Sequence, residues 1–429
     1  MNRRSETTTA FLFAAAAFAA CGCAEDAAGQ RGPSSDGGAF DAGFDGPVPS
    51  DTSYPSDTSN QTDRGPEDRG STDEGYDSAE APSDAATDAE TSDGGESDAG
   101  GEDAGGDVGL PPLLTPEQIG FEEVSPPMAG SVIYFATWAQ GAGDKDSVEM
   151  MRADKSETAV RFRANRVWSF GVARDGATIA FSSADPFQEQ NFGTTIGDAI
   201  QFTWVLRPGE APFQLTNGNV NDECHSFMPG DAALLICRRA NFWQRTVGQD
   251  TEFGNDPYRI VTVDISSREA AYLTPLRPGF DDIGPALRDD GSILFWRQEF
   301  RNNKPYQSLM EMNGDGTGIS YLLANSTAPV TSPDGAQVLF RSGGWRKLAL
   351  AHSHDVAAGV EILDGGTRNI YDFDFSPDAW QVAFTMSRAD GESCSDLYVA
   401  AIDGSNVTRI IDCAGEGKFV TGVKWVFND

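Results

Sequence analysis

The chain has 429 residues, with 66 Asp and Glu against 31 Lys and Arg, for a formal net charge of −35. That acidity argues against a nucleic-acid-binding face, which needs clustered Lys and Arg to neutralise phosphate. The length allows two or three domains, and composition divides the chain unevenly.

Residues 1–23 read as an export signal. Arg3 and Arg4 supply the positive start, and AFLFAAAAFAA is an apolar core too short to span a bilayer. The sequence Phe18-Ala19-Ala20-Cys21 resembles a bacterial lipoprotein box, in which the cysteine is lipidated and becomes the mature N-terminus. Phe18 replaces the usual Leu, and Cys23 is a second candidate. The resemblance implies an acylated Cys21, and Gly22 after it favours an outer-membrane lipoprotein, periplasmic or surface-exposed. Several acyl chains on one cysteine suffice for stable anchoring.

Residues 24–112 read as a disordered acidic linker rich in Gly, Asp and Ser. Positions 24–110 hold 23 Asp or Glu against three Arg, so 23 − 3 gives a net −20 for this stretch. So few apolar residues cannot offset the entropy of ordering. As a flexible coil such a segment spans about 50 Å. Its DAG, DGG and SDG triplets lack the closing Glu of a calcium loop, so a tether is expected and not a metal site.

From residue 113 to 429 the pattern changes to short alternating apolar runs behind Pro, Asp and Gly turns. ARDGATIAF, MPGDAALLI, RDDGSILF, TSPDGAQVLF and FSPDAWQVAF each place a turn before a strand that closes on Phe or Ile. The end points are Phe135 (in the degenerate copy SVIYFATW), Phe181, Ile236, Phe295, Phe340 and Phe384. Their spacings of 46, 55, 59, 45 and 44 residues match a four-stranded propeller blade. A second hairpin follows each unit, as in SLMEMNGDGTGISYLL and DLYVAAIDGSNVTRIID. No amphipathic helix of useful length is predicted after residue 130.

Together these units resemble the TolB-type propeller repeat, also called the WD40-like or PD40 repeat, over about 300 residues. Its hallmark SPDG-x-x-(I/V/L)-A-F is closest in TSPDGAQVLF and FSPDAWQVAF, and its terminal Leu-Thr recurs in FQLT and AYLT. The resemblance implies an all-β, six-bladed propeller, with seven blades as the alternative count. VTGVKWVFND reads as an innermost strand with no partner after it, so the C-terminal strand is expected to close the first blade against residues 131–162. TolB has an additional globular domain before its propeller. Here the acidic tether takes that place, so no role in the Tol–Pal system is carried over.

Four cysteines lie in the repeats, and an oxidising compartment allows three pairings. Cys224 and Cys237 flank the MPGD turn, and Cys394 and Cys413 flank the turn at Asp403-Gly404. Each pair can face across a hairpin, so disulfides 224–237 and 394–413 are expected. No Cys-x-x-Cys is present among them, and no zinc or other metal site is expected.

Histidine is scarce. His352 and His354 fall at a strand end and its turn, a solvated position, and His225 reads as a satisfied inner-strand residue. No G-x-S-x-G elbow or sialidase Asp box occurs, and Asn313-Gly-Asp-Gly reads as an ordinary hairpin turn. Asp281-Asp282 and Asp289-Asp290 read as turn residues. No cofactor is expected, no catalytic residue is assigned, and the chain is read as a monomer without enzymatic activity.

The functional signal lies where the repeats lengthen between second and third strands, over 183–200, 240–258 and 298–306. These segments carry Phe187, Phe192, Phe242, Trp243, Phe253, Tyr258, Phe300 and Tyr306, with Arg238, Arg239, Arg245 and Arg301 nearby. Aromatic residues and Arg tend to dominate interface energetics. Phe192, Phe242, Trp243, Arg245, Phe253, Tyr258 and Phe300 are therefore the expected binding residues, for a protein or glycan of the envelope. The bland alternative is a local cap, in which the loops fold onto one another. A third reading is a carbohydrate-active lyase or hydrolase using the central pocket, with His225 and a metal as its means.

Overall fold

The computed structural model describes residues 112–138, 145–184, 200–241, 243–247, 250–301, 304–389 and 394–428, with 243–247 and 250–254 described by backbone alone. The export segment, Cys21 and the acidic linker lie outside the described residues. Alternation of apolar residues gives strands throughout, grouped here by the sequence repeats. Repeat one holds β1 (Glu122–Glu123), β2 (Gly130–Trp138), β3 (Asp146–Met151) and β4 (Thr158–Ala164). Repeat two holds β5 (Phe170–Val172), β6 (Ile179–Ala184), β7 (Gln201–Leu206) and β8 (Phe213–Gln214). Repeat three holds β9 (Val220–Phe227), β10 (Ala233–Ala240), the added hairpin β11 (Trp243–Val247) and β12 (Asp250–Gly254), then β13 (Arg259–Asp264) and β14 (Ala270–Tyr272). Repeat four holds β15 (Phe280–Leu287), β16 (Ile293–Arg301), β17 (Lys304–Met312) and β18 (Ser320–Ala324). Repeat five holds β19 (Thr327–Thr331), β20 (Gln337–Ser342), β21 (Lys347–His352) and β22 (Asp355–Asp364). Repeat six holds β23 (Ile370–Phe375), β24 (Gln381–Ser387), β25 (Ser395–Ala401) and β26 (Thr408–Ile411). The short helix α1 (Cys413–Glu416) follows, capped by Asp412, and β27 (Phe419–Asn428) ends the described chain.

The C-terminal strand does return to the start: β27 runs antiparallel to β2 from Gly130↔Asn428 to Trp138↔Phe419. The innermost strands then follow one another as β27, β5, β9, β15, β19, β23 and back to β27, which makes a propeller ring. The strand β1 was not foreseen, and it gives repeat one a fifth strand on its outer side.

One expectation is corrected. Repeats one, four, five and six form sheets of their own, but repeats two and three share a single eight-stranded sheet, so six separate blades are not seen. The reason is an open edge. β8 covers β7 only at Trp204 and Val205, and the uncovered Gln201 takes a parallel bridge from Asn221 of β9.

Packing explains why the repeat signature ends in Phe. Alternate residues of each second strand face opposite neighbours. Phe181 packs with repeat one, Phe295 with repeat three, Phe340 with repeat four, Phe384 with repeat five and Phe135 with repeat six. Ile236 does the same toward repeat two. Every signature end point therefore fills the junction with the preceding repeat. Ile236, Phe295 and Phe340 also lie opposite a bulge of the innermost strand, where Cys224, Gly284 and Ala328 adopt φ of 59°, 61° and 51°. A bulge adds one residue and increases local twist, which lets an inner strand turn away from its partner.

The cysteine expectation is half corrected. Cys394 and Cys413 are bonded, joining the segment before β25 to α1 with Cα atoms 6.1 Å apart. Cys224 and Cys237 are free thiols. Cys224 sits in the bulge of β9, so the register sets Glu223, and not Cys224, opposite Cys237.

Candidate functional site

In repeats three and four the hairpins of interest both lie between the second and third strands, after β10 and after β16. Residues 185–199 of repeat two, with Phe187 and Phe192, lie outside the described residues, as does Phe242. In repeat three the insertion folds into its own antiparallel hairpin, with Trp243 opposite Gly254 and Arg245 opposite Glu252. Phe253 lies on the same hairpin, opposite Gln244.

Repeat four behaves differently from expectation. Residues 298–301 and 304–306 are the paired tips of β16 and β17, with Phe300 opposite Pro305 and Arg301 opposite Lys304. Phe300 is 52% exposed and Tyr306 is 48% exposed. Because side chains alternate, Phe300 lies on one face of this hairpin while Tyr306 and Arg301 share the other. The Arg301 guanidinium stands 5.3 Å from the Tyr306 ring and pairs with Glu299 at 2.6 Å. The tip thus presents aromatic surface on both sides.

Tyr258 is corrected from exposed binding residue to buried anchor. It is 2% exposed, its hydroxyl donates to Glu223 Oε1 at 2.6 Å, and the Arg239 guanidinium lies 3.9 Å over its ring. Its backbone N–H donates to Asp281 Oδ1 at 2.7 Å, and its carbonyl accepts from the Asp282 N–H at 3.0 Å. Tyr258 therefore ties the C-terminal root of the repeat-three insertion to the innermost strand of repeat four. Burial pushes the Glu223 carboxyl up to about 7, against the opposing pull of the Tyr258 hydroxyl and the Arg239 charge. Burial also raises the Tyr258 phenol and the Cys237 thiol.

Asp281 and Asp282 are likewise corrected. They are not turn residues but buried members of β15. Asp282 forms a two-pronged ion pair with Arg297 at 2.6 and 3.0 Å. Asp222 and Arg238 repeat it one unit earlier at 2.6 and 2.8 Å. Sequence reading missed these pairs, although a signal was there: an Asp opening the first strand and an Arg closing the second, in VNDECHSF with LLICRRA and in FDDIG with ILFWRQ.

His225 is buried on β9, as expected of a satisfied inner-strand residue. Its Nδ1 lies 3.0 Å from Ser169 Oγ and its Nε2 lies 3.0 Å from Thr203 Oγ1. Burial lowers its pKa to about 4, so the ring is neutral at neutral pH. With both nitrogens engaged by hydroxyls, it offers no lone pair to a metal without losing a hydrogen bond. His352 ends β21, and His354 is exposed in the following turn, 3.8 Å from both Asp289 and Asp290 of repeat four. Among the described residues no group of three His, Cys, Asp or Glu is arranged to hold a metal.

No protein-family model matches the chain, and no curated protein matches its sequence. Among solved structures, TolB from Acinetobacter baumannii is similar at a TM-score of 0.50 and 14% identity, over 70% of this chain and 67% of that one. A TolB-type protein from Agrobacterium tumefaciens is similar at 0.46 and 15% identity, over 70% of this chain and 99% of that one. An oligogalacturonate lyase in complex with manganese reaches 0.39 at 15% identity, over 66% of this chain and 74% of that one. At these identities the likeness is one of fold. The fold is a TolB-like β-propeller.

Proposed function

We propose that this chain is an envelope lipoprotein whose TolB-like propeller binds a protein or glycan partner through the insertions of repeats two to four. The membrane is reached through acylated Cys21, and residues 24–112 serve as the leash. One observation carries the binding reading: neighbouring repeats three and four raise hairpins at the same end of the ring. The second of these exposes Phe300 and Tyr306 where a lone propeller gains nothing by exposing them. Aromatic side chains with an adjacent Arg are efficient contact groups because they bury much area at little entropic cost.

The test is affinity capture from solubilised native envelope with the full-length chain and a Phe300→Ala/Tyr306→Ala variant. Retention of one partner by the wild type alone supports the face. Equal retention by both, or by neither, removes it. Palmitate labelling tests the anchor separately, with incorporation expected in the wild type and lost in Cys21→Ser.

A further inference from the structure

At the root of the repeat-three hairpin, one guanidinium pairs directly with one carboxyl and lends its charge to a second. Arg239 pairs with Asp281 of repeat four across a 3.3 Å contact, while its Nε has no hydrogen-bond partner among the described residues. Glu223, on the same side of the sheet, holds the Tyr258 hydroxyl and the side chain of Asn221 among the described residues. The charged and titratable groups around Glu223 come from four elements. Asp222 and Cys224 flank it on β9, Cys237, Arg238 and Arg239 lie on β10, Tyr258 immediately precedes β13 and Arg259 opens it, and Asp281 and Asp282 lie on β15. Asp222 and Asp282 are already neutralised by Arg238 and Arg297, so among the described residues Arg239 is the cation that pairs with Asp281 and also acts on Glu223.

We propose that the proton on Glu223 governs how tightly repeats three and four are joined beneath the β11–β12 hairpin. With Glu223 protonated, Arg239 serves Asp281 alone, and Asp281 holds the Tyr258 N–H. Loss of the proton to solvent places a bare carboxylate in a buried site, and Arg239 Nε is the group able to neutralise it. Arg239 then leaves Asp281 partly uncompensated, and the two backbone hydrogen bonds at Tyr258 weaken. No bond other than the O–H of Glu223 is broken. The upward shift of Glu223 to about 7 puts this change inside the neutral range. The inference does not depend on what the hairpins bind, because it concerns the junction below them.

Amide hydrogen exchange on the full-length chain tests it, at about pH 5.5 and about pH 8.5 after correction for intrinsic rates. Protection of the Tyr258 and Asp282 amides is expected to fall at least about tenfold between these conditions. Amides of β24 and β25 should stay unchanged. Glu223→Gln should hold the junction at its acidic-side protection at both pH values. A wild type with no pH dependence at these two amides overturns the proposal, and so does a Glu223→Gln variant that loses protection like the wild type. If the variant does not fold, the wild-type profile still decides. A series of such measurements from about pH 4 to about pH 8.5 gives the midpoint, and one at the ordinary carboxyl value of 4.5 instead of near neutrality sinks the assignment.

Discussion

Asp222 and Arg238 face each other directly on β9 and β10 and close two hydrogen bonds at 2.6 and 2.8 Å, both side chains buried. Asp282 and Arg297 hold the same register on β15 and β16. Removing one member leaves an uncompensated buried charge, whereas removing both leaves an apolar gap that can be filled. Asp222→Ala or Arg238→Ala is expected to cost about 3–5 kcal/mol by denaturant melting. The double variant Asp222→Leu/Arg238→Met should recover most of that loss. A single substitution costing under about 1 kcal/mol would show the pair to be solvated.

Stability should respond to pH through two buried groups of opposite sign. Glu223 has a folded pKa of about 7 against an ordinary 4.5, so the native state holds its proton where the unfolded chain has lost it. Its contribution is complete below pH 4.5 and declines as pH rises to about 7, by about 3 kcal/mol. His225 has a folded pKa of about 4 against 6.5, so its contribution is complete above 6.5 and lost as pH falls toward 4. Glu223→Gln should steepen the acid-side loss between pH 4.5 and 6.5, and His225→Asn should flatten it. Thermal melts across this range read both slopes directly, and parallel curves for the two variants would contradict the assignment.

The Cys394–Cys413 bond closes a separation of 19 residues and holds α1 against the start of β25. Cys394→Ser/Cys413→Ser should lower stability by about 2–3 kcal/mol, chiefly by freeing the unfolded chain. Under reductant, the wild type should fall to the variant's value. Cys224→Ser should leave the reductant response unchanged, since Cys224 and Cys237 are free thiols.

Two turn glycines with the same backbone demand make a controlled comparison. Gly404 has φ of 79° and Gly291 has φ of 82°. A Cβ on Gly404 would fall 1.6 Å from the Ile362 carbonyl oxygen of repeat five, while one on Gly291 would meet nothing within 4 Å. Gly291→Ala should therefore cost about 1 kcal/mol for the left-handed backbone alone. Gly404→Ala should cost distinctly more, because repeat six must also move off repeat five. Equal melting temperatures for the two variants would mean the Gly404 turn yields freely.

The sequence by itself determined the class of fold. Turn chemistry and two-residue alternation are local, and six copies of them at near-constant spacing define a ring of hairpins. Phe181, Phe295, Phe340 and Phe384 stood out because each serves one repeated purpose, filling the junction with the preceding repeat. The closing role of β27 was legible for the same reason, since an inner strand without a following partner needs one elsewhere. Tertiary structure alone decided the rest. Whether Tyr258 lies on a binding surface or in a buried junction depends on Asp281 and Glu223, which reach it from other strands. Cys224 failed to bond Cys237 because a bulge shifted the register by one residue, and composition carries no record of a bulge. Asp281 and Asp282 looked like turn residues because burial of a charge is set by its partner, and Arg239 and Arg297 lie 42 and 15 residues away along the chain.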